Sequence, residues 1–141
     1  MNILIAEDDQ MTQLLYQEIM QDWGYDCDIA SNGLKAVEMS QQNKGQYDFC
    51  IMDINMPEMN GLEAARVIRK MGHFFPIIGC SSDDSLKEKC FKAGMDAFIE
   101  KPFHFDQLSS LVHQLNADKI NSTASQDFFL LDKCTGIRCF L

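Results

Sequence analysis

Three short apolar runs, NILIA (2–6), YDFCIM (47–52) and FPIIGC (75–80), constrain this chain more than any other feature. Each is too short for a buried helix. Their consecutive apolar positions mark strands covered on both faces. A fourth segment, DCDIA (26–30), alternates acids with apolar residues and suits the edge of a sheet. A short fifth strand, AFI, follows at 97–99. Between the strands the period becomes helical. Met11, Leu14, Leu15, Ile19, Met20 and Trp23 fall on one helical stripe. A second helix opens near Asn32, and a third carries Leu62, Ala65, Ile68 and Met71 behind the capping-box spacing of Asn60 and Glu63. A fourth is capped by Asp83 or Asp84, carries Leu86, Cys90 and Ala93, and stops at Gly94. The last holds Phe105, Leu108, Leu111, Val112 and Leu115.

Five strand–helix alternations predict a parallel sheet with helices on both faces, joined by right-handed crossovers. Placing the fully apolar strands at the centre and the alternating one at an edge gives the order 2-1-3-4-5. Ligands of such a sheet bind outside the carboxyl ends of the strands, at the switch point between strands 1 and 3.

The residues predicted at that end are Glu7, Asp8 and Asp9 after strand 1, Asp53 after strand 3, Ser81 after strand 4 and Lys101 after strand 5. Each alone has an ordinary explanation as a cap or turn residue. Their convergence has a chemical one. Crowded carboxylates call for a hard cation, and Mg2+ takes oxygen ligands from one or two carboxylates and phosphate. A carboxylate can also attack phosphorus to give an aspartyl phosphate. The transferred group presents three equatorial oxygens. Mg2+, the Ser81 hydroxyl and the Lys101 ammonium would take one each. Asp53, on a central strand, is the best-placed nucleophile.

The stretches ILIAEDD, MDINMPEMNGLEA, PIIGCSS and AGMDAFIEKPF resemble, in order and spacing, the receiver domain of two-component response regulators, over residues 1–118. The resemblance implies a flavodoxin-like (βα)5 fold with Asp53 as phosphoacceptor. Glu7, Asp8, Asp53 and the backbone carbonyl of Asn55 would be the ligands of Mg2+, with Mn2+ as a substitute, and Asp9 would be peripheral. Ser81 and Lys101 take the hydroxyl and lysine positions, and Pro102 follows on an expected cis bond. Ser81 and Phe98 would form the switch, the aromatic turning inward once Ser81 moves to the phosphoryl. Ser81 stands where threonine is usual, and Gly79 and Cys80 where alanine and leucine are common. Asn55 and Asp83 flank the site at positions that tune the phosphoryl lifetime, and both are polar, which implies water access and a short lifetime.

The resemblance implies a signalling domain that accepts phosphate from a histidine kinase or histidine phosphotransfer protein, with only self-catalysed phosphotransfer and dephosphorylation. It passes the signal to a downstream protein through helix 4, strand 5 and helix 5, around Lys87, Lys89, Lys92, Phe98 and Phe105. That surface, or the C-terminal tail, is also a candidate for homodimerisation. A receiver from a hybrid histidine kinase is the alternative, although Met1 directly before strand 1 favours an independent chain. A Mg2+-dependent phosphatase fits less well, because its aspartyl nucleophile would follow strand 1 in an Asp-x-Asp arrangement.

Composition bears on the partners. A net charge of −9 over 141 residues argues against DNA and anionic membranes. No apolar run approaches the ~18 residues of a membrane span. MNILIAEDDQ lacks the basic start of a signal peptide, so the expected location is the cytoplasm. The three cysteines in strand-like contexts, Cys27, Cys50 and Cys80, are expected to be small hydrophobes, while Cys134 and Cys139 could form a disulfide but lack the second pair of a metal site. His73, His104 and His113 are scattered. Residues 119–141 are expected to be a linker and a short apolar tail with no output domain, and three readings of the tail stay open: disorder, docking on the receiver or a second copy through Phe128, Phe129, Leu130 and Leu131, or a remnant of a longer protein.

Overall fold

The computed structural model of the chain describes residues 1–124, the last four by their backbone. The expected docking cluster Phe128–Leu131 and the cysteines at 134 and 139 lie outside the described residues. Strands β1 (Asn2–Ala6), β2 (Asp26–Ala30), β3 (Phe49–Asp53), β4 (Ile77–Ser81) and β5 (Ala97–Glu100) alternate with helices α1 (Gln10–Asp22), α2 (Gly33–Gln42), α3 (Gly61–Lys70), α4 (Lys87–Lys92) and α5 (Phe105–Ala124). The sheet is parallel throughout, in the order β2-β1-β3-β4-β5. The doubly wound fold expected from the sequence is the fold observed.

Side-chain alternation along the strands makes two cores. Leu4, Cys50, Met52, Ile77 and Phe98 pack on one face, with α2, α3 and α4. Ile3, Ile5, Phe49, Ile51 and Ile78 pack on the other, with α1 and α5. All five residues of β3 are buried, and β2 is half-exposed along its length. These are the central and edge placements that the apolar pattern predicts.

Helix ends follow local chemistry. Asn32 and Asn60 cap α2 and α3 by accepting from the backbone N–H groups of Lys35 and Glu63. Asp83 caps a short 3-10 turn, Asp84–Leu86, that leads into α4, so the fourth helical segment is two pieces and its second piece is short.

Two expectations are corrected. The α1 stripe does not face the core along its whole length: Met11, Leu14 and Leu15 are exposed, and Tyr16, Ile19 and Met20 are the buried face. The first turns of α1 stand beside the end of the sheet, where Leu15 and Tyr16 border a cleft with Phe103 and Phe105. The last helix also runs past the expected boundary at 118, to Ala124. Residues 116–124 contain no Gly or Pro to stop a helix. Lys119 Nζ donates to the Asp48 carbonyl at 2.6 Å, which ties this end of α5 to the loop before β3.

A side-chain network locks α3 to the far half of the sheet. Arg69 donates from Nε to the Gly94 carbonyl and from one terminal nitrogen to the carbonyls of His73 and Phe75, all at 2.8–2.9 Å. Its other terminal nitrogen meets Asp96 at 2.8 Å. The same Asp96 oxygen accepts from the Ile77 N–H. One guanidinium thus holds the loops that enter β4 and β5.

Candidate functional site

The strand ends bring the expected residues together. Asp53 is the last residue of β3 and is 8% exposed. Lys101 follows β5, and its N–H donates to the Ser81 carbonyl at 2.8 Å. The Lys101–Pro102 bond is cis, as expected. Lys101 Nζ lies 3.2 Å from Asp53 Oδ1 and 3.2 Å from Glu7 Oε2. Glu7, Asp8 and Asp53 each offer a carboxylate oxygen, all within 4.8 Å of one another.

The hydrogen bonds give each acid a different task. Both donors to Asp53, the Lys101 ammonium and the Ile54 N–H, fall on Oδ1. Among the described residues no group donates to Oδ2, so that oxygen is available. Glu7 is 2% exposed and engaged at both oxygens, accepting from the Asp9 N–H and from Lys101. Asp8 is exposed and is the readiest of the three to meet a cation directly.

Asp9 turns away from the site. Its Oδ2 caps α1, accepting from the Thr12 N–H at 2.9 Å and the Thr12 hydroxyl at 2.6 Å. These bonds hold its carboxyl below the usual Asp range. The stability they lend is present above that range and is lost as pH falls through the lowered value. Asp9→Ala is therefore expected to lower Tm by a few degrees at neutral pH, with Mg2+ affinity within about twofold of wild type. Thermal unfolding and Mg2+ titration check this; a tenfold loss of affinity would make Asp9 a ligand.

Burial pushes the Asp53 and Glu7 carboxyls above their usual range, against the pull of Lys101. Burial alone would lower Lys101, but Asp53 and Glu7 outweigh it and the ammonium is held more firmly than usual. Two desolvated acids and an exposed one share a single resident cation, leaving the cluster net negative. The donor set is all oxygen, and Mg2+ fits it.

Ser81 and Phe98 are less simple. Ser81 ends β4, is 1% exposed, and its Oγ accepts from the Asp83 N–H at 3.1 Å. Phe98 is 3% exposed within the core. The sequence reading has this ring turn inward only after Ser81 moves. In the structure it is already inside, on the strand position opposite Gly79, packed in the core shared with Cys50, Met52 and Ile77. It is therefore not exposed, whereas Lys89 and Lys92, also named in the expected output surface, are.

The loop between β3 and α3 also depends on a close approach. The Gly61 N–H donates to the Ile54 carbonyl, and a Cβ at Gly61 would come within 2.2 Å of the Asp53 carbonyl oxygen. Asn55 is exposed two residues beyond Asp53. A cleft of about 350 Å³, bordered by Thr12, Leu15, Tyr16, Ser82 and Phe105, opens beside Lys101.

The sequence reading did not single out Arg69, Asp96 or Gly33. Arg69 reads as a surface charge on α3, and only the tertiary structure shows its four partners.

The family model of the response regulator receiver domain matches residues 3–113. The chain is 33% identical over 115 residues to two-component response regulator 24 of Arabidopsis thaliana, covering 80% of this chain and 82% of that protein. It is 32% identical to the transcriptional regulatory protein PcoR of Escherichia coli, covering 80% of this chain and 50% of that protein. It is 29% identical to probable histidine kinase 1 of Oryza sativa subsp. indica, covering 79% of this chain and 15% of that protein. Among solved structures, a receiver domain of a Pseudomonas aeruginosa sensor histidine kinase, with a magnesium ion coordinated in its active-site cleft, superposes with a TM-score of 0.74. Its identity is 28%, with 81% of this chain and 95% of that one covered. The chemotaxis protein CheY4 of Vibrio cholerae gives 0.73 at 25% identity, covering 81% and 97%.

The fold and the acidic site define a receiver. The chain belongs to the response regulator receiver domain family of two-component signalling. Among its described residues no helix is long and apolar enough to cross a membrane.

Proposed function

We propose that this receiver accepts a phosphoryl group on Asp53 from a phosphohistidine of a histidine kinase or histidine phosphotransfer protein. The observation that carries the reading is Asp53 itself: Oδ1 is anchored by Lys101 and the Ile54 N–H, and Oδ2 is left open beside two further carboxylates. Oδ2 attacks phosphorus, the N–P bond of the donor breaks, and the imidazole leaves with the electron pair. Water later cleaves the acyl phosphate and releases inorganic phosphate. Mg2+, when bound, neutralises phosphoryl oxygens and the acid cluster. Asp8, Asp53 and the Asn55 carbonyl would hold it, with Glu7 behind them.

Lys101 pairs with the incoming phosphoryl while remaining an ammonium. Ser81 accepts from the Asp83 N–H on a lone pair, which leaves its O–H free to donate to the phosphoryl, and its movement toward that group is the proposed switch. The output is a change in the surface formed by α4, β5 and α5, read by a downstream protein. Phe98, already inside, supports that surface from beneath. The matches that cover only a small part of histidine kinases favour a second reading, the receiver of a hybrid kinase, with the same chemistry at Asp53.

Incubation with acetyl phosphate and Mg2+, followed by intact-mass spectrometry, is expected to show the gain of one phosphoryl, absent when EDTA is present. No gain from acetyl phosphate or from a phosphorylated histidine donor would overturn the reading.

A further inference from the structure

The first turn of α2 presses on the loop that leaves Asp53. The Gly33 N–H donates to the Met59 carbonyl at 3.0 Å. Gly33 is buried, and a Cβ there would stand 2.2 Å from the Met59 oxygen and 2.9 Å from its carbon. That is roughly 1 Å inside the ordinary ~3.3 Å approach of carbon to a carbonyl oxygen. The obstacle is backbone, so no rotamer change relieves it. The neighbouring Asn32 is 7% exposed, with its Oδ1 committed to the Lys35 N–H and its Nδ2 3.5 Å from Glu58 Oε2.

The loop is otherwise tightly wound. Glu58 has φ 66°, and the Met59 N–H donates to the Pro57 carbonyl. At its far end the Gly61 N–H returns to Ile54. The loop is thus held from its own two ends and, at Met59, from α2.

We infer that Gly33 is a positioning residue for the metal site: its missing side chain lets α2 clamp the 54–60 loop, and so sets where the Asn55 carbonyl points. The inference rests on the Mg2+ reading given above. A displacement of about 1 Å in a group of this kind is enough for large losses.

The test uses Mg2+ alone, with calorimetric titration and amide exchange by NMR on the full chain. Gly33→Ala is expected to speed exchange of the 54–61 amides in metal-free protein and to weaken Mg2+ binding about tenfold. Ala36→Gly, one turn further along α2, perturbs the same helix and is expected to stay within twofold of wild type. In the wild type, linkage requires Mg2+ to slow exchange of the Gly33 amide. Affinity within twofold for Gly33→Ala, or an equal loss in Ala36→Gly, overturns the clamp. Where Gly33→Ala does not fold, an unchanged Gly33 exchange rate on adding Mg2+ overturns it. Absence of Mg2+ binding in the wild type is a different failure, that of the metal site itself.

Discussion

Asp53→Asn is expected to leave the chain folded and unable to take up phosphate. Asparagine keeps the shape and its carbonyl can still accept from Lys101 and the Ile54 N–H. It removes the nucleophilic carboxylate, so no acyl phosphate forms and intact mass stays unchanged with acetyl phosphate and Mg2+. A persistent one-phosphoryl gain that is acid-labile would move the acceptor elsewhere.

The same substitution has a stability signature of opposite sign. Burial raises the folded-state pKa of Asp53, so ionising it opposes folding. The cost begins as pH rises through the ordinary Asp value of about 3.9, is complete above the raised value, and is absent below both. Metal-free Asp53→Asn is therefore expected to melt higher than wild type at neutral pH, by roughly 2–5 °C. The difference should vanish on acidification below the ordinary Asp range. Saturating Mg2+ should reverse the ranking, because a cation at a hundred times its Kd adds about 2.7 kcal/mol to a protein that binds it. Equal melting of the two proteins at every pH would mean that Asp53 carries no burial cost.

Arg69→Ala is expected to cause the largest loss of stability. It strands the carbonyls of Gly94, His73 and Phe75 and leaves Asp96 without its cation. Removing one partner of a part-buried, hydrogen-bonded ion pair and stranding three carbonyls costs about 3 kcal/mol, or roughly 10 °C in Tm for a domain of this size. Arg69→Lys should recover little, because one ammonium cannot span donors that the planar guanidinium sends in several directions. Denaturant unfolding of the three proteins checks this. A loss below about 1 kcal/mol for alanine would show that the network is replaceable by water.

A good deal of this molecule was legible in the residues. NILIA, FCIM and PIIGC read as central strands because a strand covered on both faces must be apolar at every position, and DCDIA read as an edge for the converse reason. Asn32 and Asn60 announced helix starts through a side chain that competes for backbone N–H groups. Strand order followed from apolarity, and the acids and Lys101 then had to meet at one end of the sheet.

What the residues could not settle is whatever depends on distance across the fold. Met11, Leu14 and Leu15 share a stripe with Ile19 and Met20, but where the sheet ends decides which of them it covers. Phe98 is buried in the core with Cys50, Met52 and Ile77, and that burial depends on how β5 packs against its neighbours. The end of α5 meets the loop before β3 through Lys119 and the Asp48 carbonyl, 71 residues apart. The sequence by itself determined the fold and the chemistry gathered at the strand ends, since periodicity and apolarity are local properties. The tertiary structure alone decided which oxygen of Asp53 is open and which glycine the loop leans on, since Lys101 reaches Asp53, and Gly33 reaches Met59, from far along the chain.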